Sequence, residues 1–445
     1  MEQEKRHVDA AEECDVVVIG AGPGGSTAAT LLAERGHKVV LLEKSSHPKF
    51  HIGESLLPAN MRLLEKLGVA REVEAIGIDK WGAIFYSPWH DHTVQFEFGD
   101  ALDPTMPKAY EVRRSQFDEI LFRRAGRAGA RTHENCRVRE FELGDRRTPP
   151  MVRGEMADGS VREWRPKFIV DASGRDTLVA NRLKIKRRNP EHNSAAMFGH
   201  FRGARRESGR NEGNIIICWF EHGWFWFIPL KDGATSVGAV VWPYYSKSRS
   251  KPLREFFLDT IAMCPELRDR LKDAELINEP EATGNYSYRC TSCQGENYVM
   301  VGDAYTFIDP VFSSGVMLAM NSAFAAADVV HARLADPASE AKARKRFDQV
   351  MRVGPKQFSW FIYRVTNPNL RDLFMSPSDK YEMKKALLSV LAGDVFGNAP
   401  IGRGVLAFRF VYYVFSLFHL RRSLREWRRR AFNIRDESEM RQLRG

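Results

Sequence analysis

Three glycines near the N-terminus have the spacing of a nucleotide-binding turn. Gly20, Gly22 and Gly25 form a G-x-G-x-x-G pattern directly after an apolar run, and small residues beginning with Ser26 follow. Such glycines let the backbone approach a pyrophosphate, which then lies on the amides at a helix start. Glu43 follows at the distance where a carboxylate accepts hydrogen bonds from ribose hydroxyls. Because an acidic residue there suits an adenosine without a 2′-phosphate, the pattern predicts FAD or NAD as the ligand.

A second group of residues, in the segment 298–330, separates these two ligands. A predicted strand is followed by Gly-Asp-Ala with Asp303, by a turn ending at Pro310, and by Ser-Ser-Gly before a small-residue helix. An acidic residue after a strand can bind a polyol chain, and the helix start at Gly315 and Val316 can face a flavin ring or a small anion. The pattern favours FAD. Since the chain has one G-x-G-x-x-G pattern, we expect no separate nicotinamide domain.

The run HGWFWFIPL, residues 222–230, is unusually aromatic. Alternation places Trp224 and Trp226 on one face of a strand, and Phe225 and Phe227 on the other. Taken alone, such a run indicates a strand buried on both faces.

The elements that must position these residues form an α/β pattern. Asp15 to Ile19 is a predicted strand, the glycine turn and a helix ending near Gly36 follow, and Lys38 to Leu42 is a second strand. Strand, turn, helix and strand in this order predict a Rossmann-like β-α-β unit.

Composition limits the function classes. The chain has 445 residues, 43% of them hydrophobic, which is enough for a large core. The net charge of +10 makes acidic partners plausible, among them an anionic membrane or an acidic carrier protein. Six scattered cysteines and no signal-peptide pattern predict a reduced, cytoplasmic setting. Cys290 and Cys293 form a lone C-x-x-C without the second pair that a structural zinc site needs, so we expect no metal.

The C-terminal region combines an apolar run with a basic one. Residues 405–420 are apolar except for a few positions such as Arg409, and RRSLREWRRR follows with six arginines. The apolar run is shorter than the roughly 18 residues of a transmembrane helix. It can lie on a membrane surface or pack on its own protein, and we expect the packed helix.

Residues 298–330, together with FIVDASGR at 168–175, resemble the FAD-binding fold of aromatic hydroxylases. The resemblance implies that Asp303 holds the ribityl chain. It also implies that Arg114, in EVRRSQFDEIL, approaches the FAD phosphates.

Four motifs resemble the flavin-dependent halogenases, most closely the branch that acts on pyrrole or phenol rings, often carried on an acyl or peptidyl carrier protein. They are HIGESLLP (51–58), DKWGAIF (79–85), WFWFIP (224–229) and GDAYTFIDPVFSSGV (302–316). The resemblance implies a wall between flavin and substrate, a catalytic lysine, further cofactor contacts and a halide site. The wall would be Trp224, Trp226, Ile228 and Pro229, and the lysine Lys80. The further cofactor contacts would be Ser26, Gly53, Glu54, Ser55 and Pro310, and the halide site Ser314 and Gly315.

The implied chemistry begins with FADH2 supplied by a separate flavin reductase. Oxygen and chloride or bromide then give hypohalous acid, which moves to Lys80 and halogenates an activated aromatic ring. Backbone amides at a helix start can bind the halide, and an apolar site lowers the pKa of a lysine. Lys80 is expected to begin the apolar strand WGAIFY. Tryptophan halogenases carry a substrate-site glutamate that matches no position here, which argues against free tryptophan as substrate.

The expected architecture is a composite FAD-binding domain, 13–330, with a substrate-side β-sheet interleaved at about 78–112 and 190–290. A helical region, 331–445, is expected to cover the substrate entrance. Two other functions stay open: an FAD-dependent aromatic monooxygenase or oxidoreductase of the same fold, and a non-catalytic, membrane-associated flavoprotein. Nucleic acid is not an expected partner.

Overall fold

The computed structural model describes residues 11–145, 147–284, 287–397 and 400–434. Within them the strands are β1 Glu12–Ile19, β2 Val39–Leu42, β3 Ile78–Lys80, β4 Gly82–Tyr86, β5 Thr93–Glu97, β6 Ala109–Glu111, β7 Arg131–His133, β8 Arg137–Glu142, β9 Met151–Glu155, β10 Val161–Asp171, β11 Lys186–Arg188, β12 Ala195–Arg202, β13 Ile215–Phe220, β14 Gly223–Pro229, β15 Ala234–Val241, β16 Glu275–Leu276, β17 Glu281–Gly284, β18 Tyr288–Cys290, β19 Tyr298–Met300 and β20 Thr306–Phe307. The helices are α1 Pro23–Glu34, α2 Pro58–Leu67, α3 Ala70–Ile76, α4 Arg114–Arg127, α5 Leu178–Arg182, α6 Pro243–Lys247, α7 Leu253–Ala262, α8 Pro265–Arg270, α9 Gly315–Ala335, α10 Glu340–Ile362, α11 Pro368–Met375, α12 Met383–Leu391, α13 Ile401–Phe418 and α14 Leu420–Ile434.

The first sheet has β1 near its centre. Strands β7, β2, β1, β10 and β19 run parallel, and β9 and β8 extend β10 in antiparallel fashion. Helices α1 and α9 pack on each other, with α4 against α1 and α10 against α9. The central strands are buried on both faces, which explains their near-continuous apolar sequences. The predicted β-α-β unit at residues 15–42 is confirmed, with β1 beginning three residues earlier at Glu12.

The second sheet is built from two separate parts of the chain. Its order is β16-β12-β15-β14-β13-β4-β5, with β17 beside β12. β4 joins β13 in parallel, so residues 82–86 insert next to a meander formed by residues 215–241. One face of this sheet packs on the C-terminal helices, and the other on α7 and α8.

A short two-stranded ladder joins β6 to β3, the strand that directly precedes β4 in the chain. The expectation that Lys80 begins the strand WGAIFY is wrong, because Lys80 ends β3 and a separate strand begins at Gly82. Asn214 Oδ1 accepts hydrogen bonds from the backbone N–H groups of Trp81 (2.9 Å) and Gly82 (2.7 Å). The side chain of Asn214 therefore satisfies two backbone N–H groups at the point where the chain passes from β3 to β4.

Helices α10 to α14 form the C-terminal region. The predicted helix in the apolar run is α13, and one stripe of it, Val405, Phe408 and Tyr412, packs into the same cluster as Phe361 and Phe374. Two helices in the described residues are long and apolar enough to cross a membrane by length and composition, α9 and α13. Most of α9 is buried as a core helix, whereas only 22% of the apolar stretch that forms α13 is buried.

Candidate active site

The glycine turn between β1 and α1 has the shape that close approach of a ligand requires. Gly20 adopts φ +97°, and a Cβ there would lie 2.4 Å from the carbonyl oxygen of Ala172. A Cβ at Gly25 would lie 1.8 Å from the carbonyl oxygen of Gly20. At Gly22 a Cβ would meet no atom within 4 Å. The first and third glycines are therefore needed for packing, and the second faces open space at the start of α1, as a pyrophosphate site needs.

Glu43 lies at the carboxyl end of β2, beside this turn. Its carboxylate accepts the backbone N–H groups of Ala21 (2.9 Å) and Ser45 (3.0 Å), and Lys49 Nζ lies 2.6 Å away. Burial acts to raise the pKa of Glu43, but the charge of Lys49 and the hydrogen bonds outweigh it and lower the pKa. Glu43 is therefore an ionised acceptor next to the turn. Ser26, in the first turns of α1, donates its hydroxyl to the carbonyl of Ala21.

Asp303 follows β19 and lines a small cavity with Gly302, Gly315 and Leu318. Burial raises the pKa of Asp303 to about 6, and the charges of Arg114 and Arg175 oppose this rise. An acceptor of this kind suits the hydroxyl groups of a polyol chain.

Arg114 is not a solvated arginine. Its Nε and Nη2 donate to Asp118 at 2.9 and 3.0 Å, and its Nη1 donates to the carbonyls of Ile52 and Gly53. Gly53 has φ +105°, a conformation that glycine adopts without strain. Arg114 thus ties the segment HIGESLLP to α4 and adds positive charge near Asp303.

The start of α9 contains an unused hydrogen-bond donor. Ser314 is buried, and among the described residues its hydroxyl has no hydrogen-bond partner. No side chain caps this helix start, and a Cβ at Gly315 would meet no atom within 4 Å. Val316, by contrast, is buried in the core of the first sheet. A free hydroxyl and free amides at a helix N-terminus form a site suited to a small anion.

The loop before Ser314 is held by Asp309 of the same motif and by two residues that the motifs did not reveal, His192 and Ser194. Asp309, which precedes Pro310, accepts the Val311 N–H at 3.2 Å and the Ser194 hydroxyl at 3.1 Å. His192 Nε2 lies 3.0 Å from the same carboxylate. The buried network therefore fixes the position of the turn that leads to the helix start.

The aromatic strand β14 is buried on both faces, as its alternation predicts. Trp224, Trp226 and Ile228 belong to the cluster that contains the C-terminal helices, whereas Phe225 and Phe227 pack toward α7 and α8. The strand ends at the buried Pro229, paired with Thr235 of β15.

Trp226 is fixed by its neighbour strand. Its Nε1 donates to Ser236 Oγ at 3.2 Å. Gly238 lies directly opposite, and a Cβ there would come within 2.1 Å of the indole ring. Trp224 lies with its ring centroid 6.1 Å from that of Trp226. Gly238 is thus required to seat the indole, a role that no local sequence signal indicates.

Lys80 is 1% exposed. Its Nζ donates to Ser55 Oγ at 2.8 Å and to the Leu56 carbonyl at 3.0 Å, and it lies 5.4 Å from the centroid of the Phe98 ring. Burial lowers the pKa of Lys80, and the charge of Glu111 opposes this effect. The lysine is therefore buried as expected, but polar acceptors surround its amine, and its catalytic role stays a prediction. Phe98 belongs to the same cluster as Trp224 and Trp226.

Glu111 is the residue that the sequence reasoning missed. It is fully buried at the end of β6, and its Oε1 lies 3.9 Å from Lys80 Nζ. Burial raises the pKa of Glu111 to about 7, with Lys80 acting in the opposite direction. A charged residue inside the short apolar stretch AYEV was the available signal. The structure thus brings a buried amine and a buried carboxyl together.

The residues of HIGESLLP divide between two buried groups. Ser55 contacts Lys80, as described above. Glu54 Oε2 lies 2.8 Å from His200 Nε2, and Arg113 lies 3.9 Å from its other carboxylate oxygen. This motif therefore connects the lysine site with β12.

Comparisons with known proteins agree with this geometry. The sequence matches the FAD binding domain family over residues 13–345. It is 34% identical over 363 residues to a flavin-dependent halogenase of Penicillium aethiopicum, covering 76% of this chain and 68% of the relative. It is 30% identical to the 1H-pyrrole-2-carbonyl-[peptidyl-carrier protein] chlorinase of Pseudomonas fluorescens, covering 86% of this chain and 90% of the relative. The chain belongs to the flavin-dependent halogenases.

A solved halogenase structure supports the same assignment. The myxobacterial chondrochloren halogenase is 32% identical, with a TM-score of 0.75, covering 88% of this chain and 92% of that protein. The predicted fold class and the predicted cofactor FAD are confirmed. The halogenase is an FAD-dependent oxidoreductase-type enzyme, and halides are substrates of its family. Within its described residues, no cluster of three or more His, Cys, Asp and Glu side chains could hold a metal ion.

Proposed function

We propose that this halogenase transfers chlorine or bromine to an activated pyrrole or phenol ring, free or tethered to a carrier protein, through Lys80. When bound in its reduced form, FAD would supply two electrons that activate oxygen, which then oxidises halide to hypohalous acid and leaves oxidised FAD and water. A separate flavin reductase supplies the reduced cofactor. The chain's own residues bind the cofactor and halide, separate them from the ring, and position the amine.

The observation that carries this proposal is the buried, hydrogen-bonded amine of Lys80. Only an unprotonated amine has a lone pair that can take halogen from hypohalous acid, and burial favours that form. Ser55 and Leu56 orient the nitrogen. In the exchange, the amine gains an N–halogen bond and loses a proton, and hydroxide leaves with that proton as water. When the halogen passes to the ring, the ring carbon loses its own proton.

Glu111 is suited to move these protons. A carboxyl with a pKa of about 7, 3.9 Å from the amine, is close to half protonated at neutral pH. Its pKa therefore matches a group that accepts and returns a proton in each turnover.

The residues fit FAD and a halide at adjacent places, since Gly315 lines the same small cavity as Asp303. The turn at Gly22 and the carboxylate of Glu43 would hold the pyrophosphate and ribose, and Asp303 the ribityl chain. The unpaired hydroxyl of Ser314 and the amide of Gly315 would bind the halide. We propose that Trp224, Trp226, Ile228 and Pro229 form the wall that keeps the ring from the cofactor.

The substrate class rests on two observations, one about the ring and its carrier and one about the carrier alone. One relative chlorinates a pyrrole on a peptidyl carrier protein. The net charge of +10 would also attract an acidic carrier, with an association rate that falls as salt is added. Mass spectrometry of free and carrier-tethered pyrroles and phenols, each with chloride or bromide, tests the substrate class. Equal turnover of the free acid and the tethered acid would exclude a need for the carrier.

The decisive variant is Lys80→Ala, with Lys108→Ala as the matched control. Lys108 directly precedes β6, but it is partly exposed and pairs with Asp79 at 2.9 Å. Lys80→Ala should abolish the halogenated product while FAD binding and oxidation of FADH2 by oxygen continue. Lys80→Arg should fail as well, because guanidinium keeps its proton. Lys108→Ala should retain product.

Other outcomes would contradict the role given to Lys80. Retained halogenation by Lys80→Ala would mean that hypohalous acid reaches the ring unaided. Loss of FAD binding would mean that the lysine is structural. A hydroxylated ring from the unaltered enzyme would instead identify a monooxygenase.

A further inference from the structure

The C-terminal helices carry an apolar face that the described residues do not cover. The buried stripe of α13 lies against the core, and a second stripe, spaced four, three and four residues apart, lies on another side. Its members and the large apolar residues that continue it are Leu406 (65% exposed), Phe410 (69%), Tyr413 (52%), Leu417 (69%), Phe418 (83%), Leu420 (50%), Leu424 (48%) and Trp427 (68%). We refer to these residues as the α13–α14 face. Single exposed apolar residues are ordinary, but a continuous group of this size marks an interaction surface.

Positive charge surrounds this face. Between Leu420 and Ile434 the chain carries six arginines and one acidic residue, Glu426. Arg422 pairs with Asp372, and Arg429 and Arg430 donate to backbone carbonyls of the second sheet's loops. The exposed side chains of Arg421, Arg425 and Arg428 remain around the apolar residues, and of these Arg425 lies 4.0 Å from Glu426. The partner must therefore offer both apolar contact and negative charge.

We propose that the α13–α14 face binds the surface of an anionic lipid bilayer. Helices that lie in a membrane interface combine leucine, phenylalanine and tryptophan on one face with arginine at its border. The apolar side chains would enter the acyl boundary, and the arginines would contact lipid phosphates. This surface is distinct from the halide and lysine sites and goes beyond the proposed function.

The packing of α13 decides how it meets the membrane. Val405, Phe408 and Tyr412 are held in the core, and Arg409 donates to Gln357 at 3.2 Å. The helix therefore cannot cross the bilayer while the protein stays folded, and it lies along the surface instead. The core stripe belongs to the same apolar cluster as Trp226, so the docked helix is also part of the packing around the tryptophans.

Charge argues against a second copy of the chain as the occupant. Symmetric pairing through this face would bring two sets of arginines together, with Glu426 as the one acidic residue on each α14. An anionic bilayer has no such cost, because each arginine meets negative headgroups.

Vesicle flotation of the full-length holoenzyme tests the proposal. We expect binding to phosphatidylcholine vesicles that contain phosphatidylglycerol, little binding to phosphatidylcholine alone, and weaker binding as salt is added. Arg421→Gln with Arg425→Gln should weaken binding roughly thirtyfold, at about 1 kcal/mol per basic residue near an anionic surface. Phe410→Ser with Leu417→Ser should abolish it. Neither pair touches the core, so FAD content and melting temperature should be unchanged.

Matched controls lie elsewhere on the surface. Leu258→Ser on α7 and Arg137→Gln on β8 alter an exposed apolar and an exposed basic residue away from the face, and both should bind as the unaltered enzyme does. No binding to anionic vesicles, or equal binding to both vesicle types, would overturn the proposal. A dimer in sedimentation velocity that Phe410→Ser with Leu417→Ser dissociates would also overturn it. The same holds if these residues are needed to bind an acidic carrier protein but not to bind vesicles. Because flotation needs no turnover, its result is independent of the halogenation test.

Discussion

Replacing Glu111 by glutamine tests the electrostatics of the lysine site directly. Burial lowers the pKa of Lys80 and the charge of Glu111 raises it, so the two effects oppose each other. Glutamine keeps the shape of the side chain and removes the charge. The pKa of Lys80 should then fall further, and the unprotonated amine should persist at lower pH. The acid limb of halogenation should therefore move to lower pH.

The size of this movement follows from the separation of the two groups. At 3.9 Å and an effective dielectric constant of about 20, the attraction is about 4 kcal/mol. This attraction is the upper limit of the effect, because it applies only when Glu111 is fully ionised. Glu111 has a pKa of about 7 and is only partly ionised at neutral pH. We therefore expect the acid limb to move to lower pH by less than full ionisation of Glu111 would give.

The assay is the initial rate of product formation as a function of pH, with reduced FAD supplied chemically so that no reductase limits the rate. Asp79→Asn is the matched control, because Asp79 is adjacent to Lys80 in sequence but pairs with Lys108 instead. Its acid limb should not move. A limb that stays in place in Glu111→Gln, or moves to higher pH, would refute the charge coupling between Lys80 and Glu111.

Three further predictions concern the cofactor site. Gly22→Ala should fold normally but bind FAD at least about tenfold more weakly, because the added methyl group would occupy the open space where the pyrophosphate approaches the turn. Gly25→Ala should instead lower the melting temperature, because its methyl group would overlap the Gly20 carbonyl. Equal melting temperatures of the two variants would contradict this. FAD affinity should fall as pH decreases through about 6, where Asp303 gains a proton and can no longer accept as a carboxylate, and Asp303→Asn should show a flat profile in the same fluorescence titration. The purified halogenase should not oxidise NADPH unless a flavin reductase is added, and a reductase-free rate that matches product formation would disprove this.

Local sequence determined much of the cofactor half of the protein. The order of strand, glycine turn and helix at residues 15–42, and the alternation of Trp224 and Trp226 with Phe225 and Phe227, depend on periods of two and 3.6 residues that are visible in the chain itself. Lys80 was singled out by the resemblance of DKWGAIF to the halogenases and not by periodicity, and its strand ends where Asn214 accepts hydrogen bonds from the next two amides.

Tertiary structure alone decided which distant residues meet. Lys80 and Glu111 are joined by the β3–β6 ladder, and Gly238 seats Trp226 through the register of β14 and β15. The same holds for α13, whose apolar sequence predicted a packed helix but not which stripe stays uncovered. Sequence patterns report the faces of single elements, whereas pairing register and helix packing decide which faces meet, because those depend on contacts between segments far apart in the chain.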